Sequence, residues 1–249
     1  MTDLLAVENL SVQFGERAVV RGVNFTMGRE RVGVVGESGA GKSMLGRAIM
    51  GLLPPGASMS GRVAIGGVPF TPDMRGGKSA LVLQDPRYSL NPAMRVGDQI
   101  AEVLRLHLAL SAREARREAI ARLESVRIRD PALVYERYPH QLSGGMGQRA
   151  MIAMMLAPNP ALLIADEPTS ALDASVAGGV LALLDDEVTR RGMGILLISH
   201  DLDLVANFCD RVLVMKDGEI VEALAARDLG AAQHPYTRQL LAARLRLDA

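Results

Sequence analysis

Apolar residues in this 249-residue chain fall in short blocks, and the spacing of those blocks predicts its elements. Blocks at 18–23, 31–35, 62–65, 80–83, 162–165, 194–198 and 212–215 have the length of strands. Several are continuously apolar, as strands covered on both faces of a parallel sheet are. Longer stretches with helical character separate them, at 42–50, 145–157 and 176–190. Strand and helix in alternation predict an α/β fold. One segment breaks the rhythm. Residues 85–142 contain no convincing strand, but Ser111-Ala112-Arg113-Glu114 reads as a capping box opening an amphipathic helix, with Glu118 and Arg122 paired at i,i+4. The expectation is a single domain over 1–249, with a sheet core made of 1–84 and 159–249 and a helical subdomain, 85–158, inserted into it.

Charge and composition then narrow the classes of function. Lys plus Arg number 28 and Asp plus Glu also 28, so no global positive field exists to hold nucleic acid or anionic lipid. The arginines between Arg113 and Arg122 alternate with glutamates and read as a solvated helix face. No apolar block approaches the ~20 residues of a membrane helix. The first residues, Met1 to Glu8, carry acids where a secretory signal has positive charge, so the chain is expected to stay in the cytoplasm. With Cys209 as its one cysteine, the chain has neither an internal disulfide nor a thiolate cluster, and the apolar stretch 205–214 around it predicts a buried thiol. Met146, Met151, Met154 and Met155 recur at helical spacing beside alanines and read as core rather than as a metal site.

Chemistry enters at Gly36-Glu37-Ser38-Gly39-Ala40-Gly41-Lys42-Ser43, a Gly-x4-Gly-Lys-Ser pattern directly after an apolar strand and directly before a helix. Glycines let backbone N–H groups turn inward around phosphate oxygens, and the start of the following helix points its positive end at them. Lys42 is placed to neutralise β- and γ-phosphates, and the Ser43 hydroxyl to ligate Mg²⁺. Kinases, GTPases and many ATPases share this loop, so by itself it indicates a nucleotide and no more. The segment Leu162 to Thr169 is an apolar strand ending in two acids: Asp166 suits the water shell of Mg²⁺, and Glu167 suits orienting or deprotonating an attacking water. Adjacent acids at a strand end also read as a solvated turn.

At Leu142-Ser143-Gly144-Gly145-Met146-Gly147-Gln148-Arg149 the chain resembles the signature loop of the ABC ATPases, placed as in that family shortly before the acidic strand. Read without the resemblance, Ser143-Gly144-Gly145 is an ordinary N-cap and turn. The resemblance covers nearly the whole chain and implies a P-loop NTPase sheet domain of the ABC type with an inserted helical signature subdomain, binding ATP and Mg²⁺. It implies that Ser143, Gly144 and Gly145 cap the γ-phosphate of ATP held by a partner subunit. Gln84 matches the glutamine that reaches Mg²⁺ and the water, His200 the histidine at the γ-phosphate, and Phe14 the aromatic against adenine. Ser170 to Asp173 resembles the loop that crosses the dimer interface. Met146 stands where the commonest family pattern has glutamine.

Two further stretches, Gln84 to Pro92 and His234-Pro235-Tyr236-Thr237-Arg238-Gln239-Leu240, resemble the dipeptide, oligopeptide and nickel uptake branch. On the residues alone they are a Pro-bounded loop and a helix start. Peptide-importing members often continue into a cysteine-bearing tail that is missing before Ala249, which favours nickel or a metal chelate as cargo, with di- or oligopeptide uptake the other reading of an ATP-hydrolysing import subunit. The implied partners are a second cassette, in this branch commonly a different one, two permease subunits and, indirectly, an extracytoplasmic substrate-binding protein. The implied place is the cytoplasmic face of the inner membrane. A non-transport ABC ATPase acting on nucleic acid or the ribosome is the alternative, but neither a coiled-coil insertion nor a second phosphate loop supports it, and no nucleic-acid partner is expected.

Overall fold

The computed structural model describes residues 3–85, 89–170 and 172–245. The chain packs as two compact units, one formed by Met1–Pro72 with Met193–Ala249 and the other by Asp73–Gly192.

The first unit contains an antiparallel sheet in the order β2-β1-β4-β5, from β1 (Leu5–Phe14), β2 (Arg17–Met27), β4 (Ala57–Ile65) and β5 (Val68–Pro69). In β1 the buried side chains are Leu5 and Val7, then Leu10 and Val12, so the inward alternation slips by one residue between the pairs. Asn9, with φ 47, forms the irregularity where the register with β2 and β4 shifts. Its N–H is satisfied by Asn24 Oδ1 at 2.8 Å. Gly61 lies opposite, where any Cβ would come within 2.4 Å of the Asn9 carbonyl. This slip is why the hydrophobic pattern did not predict β1.

The same unit holds β3 (Arg31–Val35), β8 (Gly194–Ile198), β9 (Arg211–Lys216) and β10 (Glu219–Ala225) in the order β10-β9-β3-β8. β3 runs parallel to both β8 and β9. Val32, Val34 and Ile195 to Ile198 are fully buried, as the continuous apolar blocks predict. The β9–β10 hairpin turns at Asp217-Gly218, both at positive φ, the dipeptide that suits a two-residue primed turn. Helices α1 (Lys42–Ile49), α7 (Leu202–Phe208) and α8 (Pro235–Leu245) complete the unit. Val205 of α7 sits directly on Gly33, where a Cβ would meet its Cγ1 at 2.2 Å. Cys209 ends α7 as a buried thiol, and burial pushes its pKa up to about 12.

The second unit is built on the parallel pair β6 (Ser79–Val82) and β7 (Leu162–Asp166) with five helices: α2 (Val96–Leu108), α3 (Ala112–Ser125), α4 (Pro131–Tyr135), α5 (Gly144–Leu156) and α6 (Ala174–Arg191). The predicted capping box forms: Ser111 Oγ accepts from the Glu114 N–H at 3.4 Å, and Glu114 Oε2 accepts from the Ser111 N–H at 3.0 Å. Glu118 and Arg122 pair at 2.9 Å. Ile100, Leu104, Leu123, Met151 and Ile152 form the core; of the methionine stripe Met151 and Met154 are buried, while Met146 and Met155 are only half-buried. Buried Glu187 is ion-paired with Arg190 and Arg191 on its own helix. The compact units divide at Pro72/Asp73 and at Gly192/Met193. β6 and β7 thus pack in the unit of the helices, because α5 lies against β6 and α6 against α5. No helix among the described residues is long and apolar enough to cross a membrane.

Candidate functional site

The first unit carries the candidate phosphate loop. β3 is buried between two parallel neighbours and stops at Val35; Gly36 to Gly41 then turn the chain into α1. Gly39 and Gly41 sit at φ 86 and 100, which side chains rarely adopt. Gly41 has a second reason to be glycine, since a Cβ there would lie 2.4 Å from the Val19 carbonyl. It is also the N-cap of α1 and makes no side-chain cap, and no acid stands in the first turn. The helix start thus follows a glycine loop and has no acid in its own first turn, a local chemistry that suits a phosphate.

Lys42 places a cation within this loop. Its side chain is 6% exposed, and its ammonium is held by the Gly36 carbonyl at 2.7 Å and the Glu37 carbonyl at 2.9 Å. A buried cation thus lies inside the curl of the loop rather than in solvent. Ser43, next along, is exposed at the helix start. His200 lies just beyond β8, the strand beside β3, and Ser199 N–H bonds to the Val34 carbonyl at 3.1 Å, which keeps these two strand ends together. The turn carrying His200 is fixed by Asp201, whose N–H bonds to Ser199 Oγ and whose Oδ1 caps α7. His200 itself is exposed. Phe14 ends β1 half-buried, paired with Arg17 and Ala57.

The second unit carries the acids and the signature. Val82 of β6 is aligned with Ala165 of β7, so exposed Gln84 and the acids Asp166 and Glu167 leave the same end of this parallel pair. Asp166 is 6% exposed. Glu167 has φ 47, a conformation unusual for a residue with a side chain, and it breaks the in-and-out alternation of the strand. Ser170 locks the turn that follows, its N–H and hydroxyl both donating to the Glu167 carbonyl.

Ser143 is the N-cap of α5, its Oγ accepting from the Met146 N–H at 3.4 Å, and Gly144 and Gly145 form the first turn. Met146 enters this cap through its backbone, so the cap does not depend on which side chain stands there. Gly145 packs against α6, where a Cβ would meet Val176 Cγ1 at 2.5 Å. One link was not anticipated from the sequence. Gln148, 1% exposed, donates from Nε2 to the Pro168 carbonyl at 2.7 Å and so ties the signature helix to the turn after Glu167. Leu90, His140, Leu142, Ser143 and Leu172 line a cavity of about 580 Å³ beside the signature. Of the segment 84–92, Pro86, Arg87 and Tyr88 lie outside the described residues, as does Ala171 in the 170–173 loop.

A buried parallel strand, a glycine loop at its end and a buried lysine opening the next helix define an α/β phosphate-loop nucleotide-binding protein. The family described as ABC transporter matches residues 20–170, more than half of the chain. The oligopeptide transport ATP-binding protein OppD of Bacillus subtilis (strain 168) is 43% identical over 97% of this chain and 72% of its own length. The probable peptide ABC transporter ATP-binding protein y4tR of Sinorhizobium fredii (strain NBRC 101917 / NGR234) is 45% identical over 96% and 76%. The glutathione import ATP-binding protein GsiA of Escherichia coli O1:K1 / APEC is 44% identical over 97% of this chain; the chain spans only 42% of that relative's length. Among solved structures, cbiO1 from Clostridium perfringens, part of the ABC transporter complex cbiONQ, superposes with TM-score 0.78 at 28% identity, covering 93% of this chain and 92% of that one. The ATP-binding cassette MJ0796, in a dimeric post-hydrolysis state bound to ADP and Pi, gives TM-score 0.78 at 28% identity over 90% and 99%. This chain belongs to the ABC transporter family and has the fold of its ATPase cassettes.

Proposed function

We propose that this chain binds and hydrolyses ATP with Mg²⁺ and so drives an importer of peptides or peptide-like solutes. The observation that carries the reading is the buried Lys42 ammonium held inside a glycine loop that opens directly into a helix. Lys42 supplies the charge for the β- and γ-phosphates, and loop residues Gly36, Glu37, Ser38, Gly39, Ala40 and Gly41 wrap them with backbone. Ser43, Gln84 and Asp166 hold Mg²⁺, which when bound neutralises charge on the phosphate oxygens. Glu167 accepts the proton of the attacking water, Gln84 helps to orient that water, and His200 contacts the γ-phosphate. Phe14 offers its ring to adenine.

Ser143, Gly144 and Gly145 begin a 13-residue helix and form a second anion-binding turn, which we assign to the nucleotide of a partner cassette. Two cassettes closing on shared ATP would be released by hydrolysis, and that motion would be passed to two permease subunits at the cytoplasmic face of the membrane. The helical segment 85–158, as a signature subdomain inserted into the core 1–84 and 159–249, is the part that carries it. A substrate-binding protein outside the membrane would choose the cargo. The relatives are named for glutathione, peptides and oligopeptides, which supports a peptide-type cargo over nickel or a metal chelate.

The test is Glu167→Gln with ATP and Mg²⁺ in size-exclusion chromatography, alone and mixed with a candidate second cassette. A dimer that forms only with nucleotide supports the reading, and its composition decides between identical and different partners. A variant that stays monomeric in both cases while hydrolysing ATP at the unmodified rate refutes it.

A further inference from the structure

The stretch His234 to Arg238, which the proposed chemistry leaves unused, reaches the phosphate loop. Glu222 on β10 accepts the N–H of Gln233 at 2.7 Å and of His234 at 3.2 Å. His234 Nδ1 then accepts the N–H of Tyr236 at 3.2 Å, while Pro235, which has no N–H to satisfy, opens α8. Arg238 closes the turn by donating to the Gln233 carbonyl at 2.6 Å. Glu222, His234, Pro235 and Arg238 thus seat the start of one helix. The residue delivered is Tyr236, 4% exposed, with the Lys216 ammonium 5.0 Å from its ring centroid.

The Tyr236 hydroxyl accepts the backbone N–H of Glu37 at 2.9 Å. The carbonyl of that same peptide unit, Gly36, accepts from the Lys42 ammonium at 2.7 Å. One planar peptide is therefore gripped from both ends, by a C-terminal hydroxyl on its N–H and by the phosphate-loop lysine on its C=O. Rotating it would break both bonds at once, since a trans peptide points these groups in opposite directions. Burial keeps the Tyr236 phenol above its ordinary pKa, so it stays a neutral hydroxyl throughout the neutral range.

We propose that Tyr236 is a positioning residue for nucleotide binding: it holds the 36–37 peptide with its carbonyl turned toward Lys42, so the loop is preformed before the phosphates arrive. This rests on the reading of 36–43 as the nucleotide loop. Without the hydroxyl the peptide samples other orientations, and the apparent affinity falls by the fraction of time the loop is misaligned.

The experiment uses the full chain and Tyr236→Phe, which keeps the ring and removes only the acceptor. Titration with a fluorescent ATP analogue and Mg²⁺ is expected to show affinity reduced about three- to tenfold, the range of one buried hydrogen bond. Amide exchange followed by NMR is expected to show Glu37 protected in the unmodified chain and at least several-fold faster in the variant. Thr237→Val, at a fully buried position next on α8, serves as the control and is expected to lower the thermal midpoint but leave affinity unchanged. Unchanged affinity in Tyr236→Phe, or an equal loss in Thr237→Val, overturns the proposal. So does a Glu37 amide that exchanges freely in the unmodified chain, a result that needs no variant. If the unmodified chain binds no nucleotide, the reading of the loop fails instead, and the Glu37 exchange rates still decide whether Tyr236 positions the peptide.

Discussion

Gln148 and Pro168 are joined by a 2.7 Å hydrogen bond, and both are buried. Through it, the helix that starts at the signature glycines is fastened to the turn that begins at Glu167. Removing the amide leaves a buried carbonyl without its donor, a loss of about 1–3 kcal/mol. Gln148→Leu is therefore expected to lower the thermal midpoint by a few degrees and to lower kcat more than KM, because Glu167 loses the support of its turn. Thermal unfolding and steady-state ATPase assays with the partner subunits check this, and an unaltered kcat would disconnect the two loops.

Glu167→Gln replaces a carboxylate that can accept a proton by an amide that cannot, without changing its volume. ATP turnover is expected to fall about 10²–10⁴-fold while ATP affinity is retained. Equilibrium binding and single-turnover hydrolysis on the same preparation separate the two, and near-normal turnover would remove Glu167 from its role.

Lys42→Ala takes away the cation held by the Gly36 and Glu37 carbonyls. Loss of charge-assisted bonds worth about 1.5–3 kcal/mol corresponds to a drop in nucleotide affinity of about 10–150-fold. Calorimetric titration with ATP and Mg²⁺ measures it, and equal affinity in the variant contradicts the assignment.

Gly41→Ala meets two obstacles, a φ of 100 and a Val19 carbonyl 2.4 Å from the new carbon. The backbone clash alone is expected to destabilise the protein by about 1–3 kcal/mol, with the left-handed conformation adding about 1 kcal/mol. Gly39→Ala carries a similar φ of 86 but meets no atom within 4 Å, so chemical denaturation is expected to rank it as the milder of the two.

Cys209 makes stability depend on alkaline pH. Burial raises its thiol from 9.0 to about 12, so between these values the unfolded chain loses a proton that the folded chain keeps. The folded state binds more protons there, and the contribution is present in full below pH 9 and declines as pH rises toward 12, by up to about 1.4 kcal/mol per pH unit. Denaturation midpoints between pH 8 and 11 are expected to fall less steeply in Cys209→Ala than in the unmodified chain. In the native protein at pH 8 the thiol is expected to resist iodoacetamide.

The elements that could be read from the chain are those whose causes are local. β3, β7 and β8 are continuous apolar blocks buried on both faces, and α3 announces itself through Ser111 and Glu114. β1 could not be read, because the slip at Asn9 moves its apolar residues from one phase of the alternation to the other. The β9–β10 hairpin turns at Asp217-Gly218, a local signal that the spacing of apolar blocks does not carry. The candidate phosphate loop was legible for the same local reason: a strand end, glycines and a helix start lie within eight consecutive residues.

By itself the amino-acid order determined the chemistry on offer, namely a glycine loop with Lys42, two acids closing an apolar strand, and a serine–glycine helix start, because each depends on neighbours a few residues away. Tertiary structure alone decided what holds those pieces in place. Gln148 grips Pro168 across 20 residues and Tyr236 grips Glu37 across 199, and no periodicity or motif spacing encodes such pairings. They exist only where packing brings distant backbone groups against a buried donor or acceptor that has to be satisfied.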